Sequence, residues 1–278
     1  MSTQRRHVTP ERPVALHTAI LPEYLNTGIC IENGYVVLCS AGTATTEINF
    51  RGFPQRAGAV NLLFPGDVNM IRDASPDLGV EYLAFTPDIM HEAMIGVPSP
   101  ATIMKHRFLD APAITAMTRA LFASIRTSTC FGRAEDMRRI AVLQLRAFFD
   151  AYCTYLASRG LSESTFSSRG AELFARFMAL LTRHYRESRS VSFYADKMDM
   201  TPRYLTGVVT AMTGRSAKYA IDEYAVMQMK LALQDDTRSI NDIAWEFHFS
   251  GPAYFSNYFK QHTSVSPQHY RAHYGEEK

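Results

Sequence analysis

Cysteine is scarce in this chain, and the four cysteines form no motif. Cys30, Cys39, Cys130 and Cys153 are widely spaced along 278 residues, without a Cys-x-x-Cys pair. Such spacing is typical of a reduced, intracellular chain rather than of a disulfide framework. The sequence therefore predicts free thiols.

Long apolar runs are also missing. The first residues, MSTQRRHVTPERP, are basic but lack the apolar core of a signal peptide, and no later run approaches the length of a membrane span. We therefore expect a cytoplasmic protein that has no membrane partner.

The familiar signatures of enzyme sites are absent as well. The chain contains no GxSxG, no HExxH and no glycine-rich phosphate loop, and no cysteine has suitable partners nearby. Asp67 and Glu81 could form a pair of carboxylates, although acidic residues at turns and strand ends are usually solvated. We expect no enzymatic activity, no cofactor and no metal.

What is present in the first hundred residues is a β-pattern. Short β-branched and aromatic runs occupy residues 35–42, 45–58, 60–67 and 78–85, separated by turn residues such as Pro65-Gly66-Asp67. Several strands at this spacing predict a sandwich or barrel. The spacing of apolar residues then changes to a helical one over 111–128 and 134–157. These two helices either cover the β-domain or form a dimer seam, and both alternatives stay open.

The remainder of the chain reads as a linker and a helical domain. Residues 159–170 are rich in serine and glycine, which predicts a linker. Beyond it, residues 171–186 carry one broad apolar face. The predicted divisions are a β-domain over 14–110, a helical dimerisation segment over 111–158, the linker over 159–170 and an all-α domain over 171–278.

The helical domain contains an internal repeat. Residues 191–216 align with residues 240–266, so that Ala195 matches Ala244, Thr201 matches Ser250 and Ser216 matches Ser266. Each copy predicts a short helix, a tight turn at Asp199 or His248 that needs a left-handed backbone, and an N-cap at Thr201 or Ser250. Pro202 fits the first turn of the following helix. This is the plan of a helix-turn-helix, whose second helix is presented to a partner.

A connecting segment links the two copies. Residues 217–235 predict an uninterrupted amphipathic helix of about 28 Å at about 1.5 Å per residue. Adjacent major grooves on one face of DNA are about 34 Å apart, so this helix could hold two presented helices in successive grooves.

Residues 191–271 resemble the paired helix-turn-helix domain of the AraC/XylS family of bacterial transcription regulators. The resemblance rests on SINDIA (239–244), Tyr254-Phe255, Phe259-Lys260 and SPQHYR (266–271), and on TPRYL (201–205) and TGRSA (213–217) in the first copy. His248 and Ser264 stand where the family usually has glycine. Residues 47–67 are similar to the cupin-like sensor domain of many members, but His17 is the only histidine between His7 and His91, which argues against the metal site of metal-dependent cupins.

The resemblance implies an α+β multidomain protein: an N-terminal cupin-like β-barrel with a helical segment, then an all-α domain of two helix-turn-helix units joined by a long helix. It also implies which side chains contact double-stranded DNA. Arg203 could bind guanine and Asn257 adenine in a bidentate manner. Phe255 and Phe259 are assigned to the core, and Trp245 is expected to pack against the connecting helix. The candidate base contacts are Arg203, Thr206, Gly207, Thr210, Pro252, Ala253, Ser256, Asn257 and Lys260, and the candidate phosphate contacts are Arg215, Lys218, Tyr254 and Arg271.

The charge of this region is unusual for a DNA-binding domain. Residues 189–278 contain ten basic and ten acidic side chains, whereas such domains usually carry a basic footprint. We therefore expect non-specific DNA binding to be weak and sensitive to salt.

The function follows as a hypothesis with alternatives. The favoured interpretation is a sequence-specific transcription regulator that forms a homodimer and has an N-terminal sensor or dimerisation domain. A small-molecule effector of unknown identity would bind inside the barrel at Tyr35, Val37, Leu63 and Phe85, positions that a packed core explains equally well. The alternatives are a protein-binding module derived from a regulator, motivated by the neutral charge and Gly207, and a small-molecule-binding cupin-type protein.

Overall fold

The computed structural model describes residues 8–9, 13–20, 28–98, 100–129, 134–161 and 168–273. Cys130 and most of the predicted linker lie outside these ranges. The described chain consists of two antiparallel sheets with flanking helices, followed by a helical region. A mixed α+β architecture is thereby confirmed, while the cupin-like description of the β-region stays a prediction.

The two sheets are built from nine short strands. One sheet has the strand order β1-β8-β3-β6-β9 and the other has the order β2-β7-β4-β5. The predicted runs at 35–42, 45–58, 60–67 and 78–85 correspond to β3, to β4 with β5, to β6 and to β8. The strands are β1 (Val14–Ile20), β2 (Ile29–Cys30), β3 (Gly34–Ala41), β4 (Thr43–Ile48), β5 (Arg51–Arg56), β6 (Val60–Leu63), β7 (Val68–Ala74), β8 (Gly79–Phe85) and β9 (Phe108–Leu109).

Helices cover the outer face of the first sheet. Alternate residues of β3, Val36 and Leu38, are fully buried in one cluster with apolar side chains from the following helices, as the period of two along a strand requires. Both helices expected over 111–128 and 134–157 are present, and they pack on this face. The helices are α1 (Pro87–Met94), α2 (Pro100–Lys105), α3 (Pro112–Ser128) and α4 (Ala134–Ser158).

The C-terminal region is helical throughout its described part. The helix expected over 171–186 begins slightly earlier and places Phe174, Phe177 and Leu181 in a buried cluster. The helices are α5 (Ser168–His184), α6 (Val191–Lys197), α7 (Pro202–Thr213), α8 (Ala217–Leu233), α9 (Ile240–Glu246), α10 (Pro252–Thr263) and α11 (Pro267–His273).

The connecting helix α8 differs from its prediction. It is buried around most of its surface rather than on one face, because the β-region also packs against it; Lys218 near its start is exposed. Phe50, Val68 and Met70 of the β-region share one cluster with α5–α8. A side chain at Gly28 would come within 1.9 Å of the Met227 sulfur on α8.

An ion-pair chain crosses the same contact. Arg72 on β7 lies 2.8 Å from Glu47 and 2.9 Å from Glu223 of α8. The first helix-turn-helix copy and the β-region therefore share a core and a charged bridge, which ties their orientations together.

The carboxylates of Asp67 and Glu81 do not form a catalytic pair. Asp67 is buried, lies 2.5 Å from Arg107, and accepts hydrogen bonds from Asn49 Nδ2 and the Phe64 backbone. Glu81 instead lies 3.7 Å from Arg126. The interpretation as paired carboxylates is wrong, since each carboxylate has its own arginine.

Candidate nucleic-acid interface

The two copies have the same turn between their helices. Asp199 has φ 56° and His248 has φ 52°, so both occupy the left-handed region that the sequence predicted. The Met200 amide donates to the Ala195 carbonyl, and the Phe249 amide donates to the Ala244 carbonyl, each at 3.0 Å. Ala195 and Ala244 are fully buried at this close approach. Two segments that lie 49 residues apart in the sequence therefore adopt the same local structure.

The ends of the second helices also repeat. Thr213 Oγ1 donates to the carbonyls of Val209 and Arg215, and Thr263 Oγ1 donates to those of Phe259 and Val265. The next residue is left-handed in both copies: Gly214 at φ 75° and Ser264 at φ 68°. Ser264 thus adopts the backbone that a glycine would adopt at lower cost.

The starts of the second helices differ. Thr201 is the N-cap of α7, and its side chain accepts from the Tyr204 amide at 3.2 Å. Ser250 is not the N-cap of α10, contrary to the prediction. Gly251 occupies that position without a side-chain hydrogen bond, because the one-residue insertion in the second copy shifts the helix start to Pro252.

Helix α7 presents a polar face above an apolar one. Leu205, Val208 and Val209 are buried below it. Of the predicted contacts, Arg203, Gly207 and Thr210 are exposed and Thr206 is half-buried. A Cβ atom at Gly207 would meet nothing within 4 Å, so this part of the face is a gap.

Helix α10 has the same organisation. Phe255 and Phe259 are fully buried, as predicted, and their rings lie 6.2 Å apart. The outward side carries the predicted contacts on one surface, with Ser256 half-buried and the others exposed: Pro252, Ala253, Tyr254, Asn257 and Lys260.

The predicted phosphate contacts outside α7 and α10 differ in their exposure and in the groups that they already contact. Arg215 is exposed and lies over the Tyr219 ring at 5.1 Å. Lys218 donates to Asp222 Oδ1 at 2.5 Å, and half-buried Arg271 donates from Nε to the Leu233 carbonyl at the end of α8. The expected packing of Trp245 against the connecting helix is wrong, since Trp245 is 60% exposed.

Residues 194–273 match a family model described as a helix-turn-helix domain. The C-terminal region carries an AraC-type helix-turn-helix domain. The resemblance to the AraC/XylS family is thereby confirmed for these residues. No curated protein sequence matches the chain.

Solved structures give distant similarities. Fatty-acid-bound ToxT from Vibrio cholerae is 13% identical, with 93% of this chain and 94% of that chain covered at a TM-score of 0.49. The C-terminal domain of the response regulator YesN from Fusobacterium nucleatum is 23% identical, covering 37% and 99% at a TM-score of 0.33. The C-terminal domain of AraT from Geobacillus stearothermophilus is 20% identical, covering 39% and 88% at 0.33.

A polar network, which no sequence pattern indicated, joins the two units of the AraC-type domain. Asp222 of α8 accepts from Lys218 Nζ and, at 2.7 Å, from the Tyr258 hydroxyl of α10. Burial and this contact with Asp222 raise the pKa of Tyr258. Arg189, just before α6, donates to the Phe247 carbonyl at 2.8 Å and lies 4.0 Å from the Phe249 ring. These contacts connect the first unit and α8 to the second unit.

Replacing Asp222 with alanine is expected to lower the free energy of unfolding by about 1–3 kcal/mol, since the Tyr258 hydroxyl loses its acceptor. DNA affinity should fall as well, although Asp222 is buried and cannot touch DNA. Chemical denaturation and fluorescence anisotropy with a bound duplex measure both quantities. Asp196→Ala, at an exposed position on α6, is the control; equal effects of the two variants would contradict a role for the network.

The predicted effector residues do not all share one face. Tyr35 pairs with Leu63, and these two lie with Val37 on the face of the first sheet that is opposite to the helices. Phe85 pairs with Gly34 and lies in the cluster under the helices. Including Phe85 was wrong, because its strand register places it on the outer face.

The inner face holds more polar side chains than a simple core. One row across the sheet aligns Tyr82, Val37, Asn61 and Phe108. Asn61 is 2% exposed, and its Oδ1 has no hydrogen-bond partner in the described part of the chain. A buried amide oxygen without a partner is costly, and the sequence did not indicate it.

Within the described ranges, no group of three or more His, Cys, Asp or Glu residues is arranged to hold a metal ion. None of the helices there is both long and apolar enough to cross a membrane.

Proposed function

We propose that this protein is a sequence-specific DNA-binding transcription regulator with an N-terminal sensor or dimerisation domain. The observation that carries the proposal is the duplicated turn, which presents α7 and α10 with equivalent buried and exposed faces in a region that matches a helix-turn-helix family model. A single helical hairpin has many uses, but two matched units on one rigid connector suit two contacts with one duplex.

The length of the connector supports the proposal. Helix α8 contains 17 residues, and its axis is therefore about 25 Å long at about 1.5 Å per residue. Helices α7 and α10 both pack against α8, so this one helix sets the separation of the two presented helices, as binding in successive major grooves about 34 Å apart requires.

The roles of individual side chains remain part of the proposal. Arg203 would bind guanine and Asn257 adenine. Arg215 and Tyr254 would contact phosphates, which position the protein without reading sequence. Lys218 and Arg271 would act chiefly by holding α8, because both already bond to groups of that helix.

The N-terminal region would act as the regulatory part, over residues 14–110 with the helical segment 111–158. A small effector would lie on the inner face beside Tyr35, Val37 and Leu63, where the buried Asn61 amide offers a polar partner. A homodimer would form through the exposed side of α3 and α4, which includes Leu143 at 59% exposure.

Selection from a pool of random duplexes tests the proposal. Wild-type protein is expected to enrich a motif, and Arg203→Ala and Asn257→Ala should each relax one position at a cost of about 1–3 kcal/mol. Sequencing of the bound fraction measures this. Arg51→Ala on β5 and Asn241→Ala on α9 are controls at exposed positions, and their motifs should be unchanged.

The competing candidate is a protein-binding module that no longer reads DNA. The gap at Gly207 and the equal numbers of basic and acidic residues over 189–278 favour it. Failure of wild-type protein to enrich any motif would support that candidate. Enrichment that is identical in all variants would reject only the residue assignments.

A further inference from the structure

The DNA-binding region lacks a basic footprint of its own. Residues 189–278 contain ten basic and ten acidic side chains, whereas the phosphate backbone dominates the affinity of proteins for DNA. Additional positive charge beside the presented helices would supply what the matched region lacks.

Helix α5 carries such a charge immediately before the matched region. Arg169, Arg176 and Arg183 are all exposed. Their spacing of seven residues keeps them on one side of the helix, with a drift of about 20° per step. The segment Ser168–His184 has these three arginines and only one acidic residue, Glu172. We call these three side chains the α5 arginine stripe.

The α5 arginine stripe is free to bind an anion. None of its three members forms an ion pair within the described residues, while the opposite side of α5 is anchored by Phe174, Phe177 and Leu181. Arg176 donates one hydrogen bond, at 3.1 Å, to the Lys197 carbonyl at the end of α6. Each guanidinium has five donors, so four remain on Arg176.

The stripe adjoins the start of the first presented helix. Arg169 and Arg176 line a cleft of about 670 Å³ together with Thr201 and Tyr204, the N-cap and first turn of α7. Tyr204 is 52% exposed, and its hydroxyl can donate to an oxygen anion. Asp199 also lines the cleft, and its carboxylate weakens the attraction at the turn itself.

We propose that the α5 arginine stripe binds the phosphate backbone of the same duplex, next to the groove that α7 enters. This extends the DNA contact upstream of residue 194, and it rests on the proposed function. The stripe spans 14 residues, or about 21 Å at about 1.5 Å per residue. It can therefore follow several phosphates and supply affinity without sequence preference.

The double variant Arg169→Gln/Arg183→Gln tests the proposal. It removes two charges that form no hydrogen bond or ion pair within the described residues, so the fold should be retained. The slope of log K against log[salt] should become less steep by about 1.8, which is about 0.9 for each phosphate contact. Affinity for the selected motif and for random duplex should fall by the same factor.

Arg51→Gln/Arg56→Gln is the matched control, since it removes two exposed charges from β5, outside the DNA-binding region and outside the proposed dimer surface on α3 and α4. Its slope should equal that of the wild type. Hydroxyl-radical footprinting should show protected sugars beside the motif that the stripe variant, but not the control, loses.

The outcomes separate this proposal from the proposed function. If wild-type protein selects a motif but the stripe variant keeps the wild-type slope and footprint, the stripe does not bind DNA. Transcription of a reporter gene can also be measured with the stripe variant. If it falls while the dependence of log K on log[salt] stays that of the wild type, the proposal is likewise overturned, and the stripe binds an acidic protein partner instead. If wild-type protein selects no motif, the function itself fails.

Discussion

Phe255→Ala is expected to lower the free energy of unfolding of the second helix-turn-helix unit by about 3–5 kcal/mol. Phe255 is fully buried, and its ring lies 5.4 Å from Phe249, 6.2 Å from Phe259 and 6.5 Å from Phe247. Alanine would leave a cavity that these rigid rings cannot fill. DNA binding should be lost with α10.

The loss should be local, because the two units have separate cores. Phe255 belongs to a cluster with α9 and the end of α8, whereas the first unit shares its cluster with Phe50, Val68 and Met70 of the β-region. Hydrogen exchange should therefore show faster exchange in α9 and α10, with α6 and α7 still protected.

Tyr254→Ala is the control, since Tyr254 is the preceding residue and is 66% exposed. Its stability should change by less than about 0.5 kcal/mol, while DNA affinity falls if Tyr254 contacts phosphate. Uniform destabilisation of the whole chain by Phe255→Ala would contradict the separation of the two cores.

Arg107→Ala is expected to destabilise the β-region by about 3–5 kcal/mol, because it leaves a buried carboxylate without its counter-charge. Arg107 and Asp67 are each only 6% exposed at the side chain and lie 2.5 Å apart. Arg107 also donates from Nε to the Met104 carbonyl, and its guanidinium lies over the Phe64 ring.

An exposed pair in the same region provides the comparison. Arg56 also contacts Asp110, but its side chain is 72% exposed. Arg56→Ala should therefore cost about 0–1 kcal/mol. Thermal and denaturant unfolding of both variants measures the difference. Losses of equal size would show that burial does not control the strength of these ion pairs.

Most of the fold was predicted from patterns among residues that are close together in the sequence. Short β-branched and aromatic runs between turn residues predicted four of the strand regions, and helical spacing predicted α3, α4 and α5, since these signals depend on backbone geometry within a few residues. The repeat predicted the left-handed turns at Asp199 and His248, because a position between two packed helices restricts the backbone strongly.

The wrong predictions concern features that depend on contacts between residues far apart in the chain. Phe85 was predicted to lie on the inner face. The pairing of β8 with β1 and β3 sets the strand register and places Phe85 on the outer face instead. Helix α8 was expected to have a solvated side because its contact with Phe50, Val68 and Met70 cannot be read from α8 alone. Ser250 was expected to be an N-cap, although the insertion moved that position to Gly251.

The sequence by itself predicted the two helix-turn-helix units, and from them double-stranded DNA as the proposed partner. The duplicated turn, the buried Phe255 and Phe259, and the outward Arg203 and Asn257 are local features, and local features survive in any arrangement of the domains. Only the tertiary structure decided how the two units are held: by the Asp222–Tyr258 and Arg189–Phe247 hydrogen bonds, and by the β-region packed on α8. It also placed Arg169 and Arg176 of the α5 arginine stripe beside the start of α7. Such contacts join residues far apart in the chain, and their energies depend on geometry that only the folded molecule has.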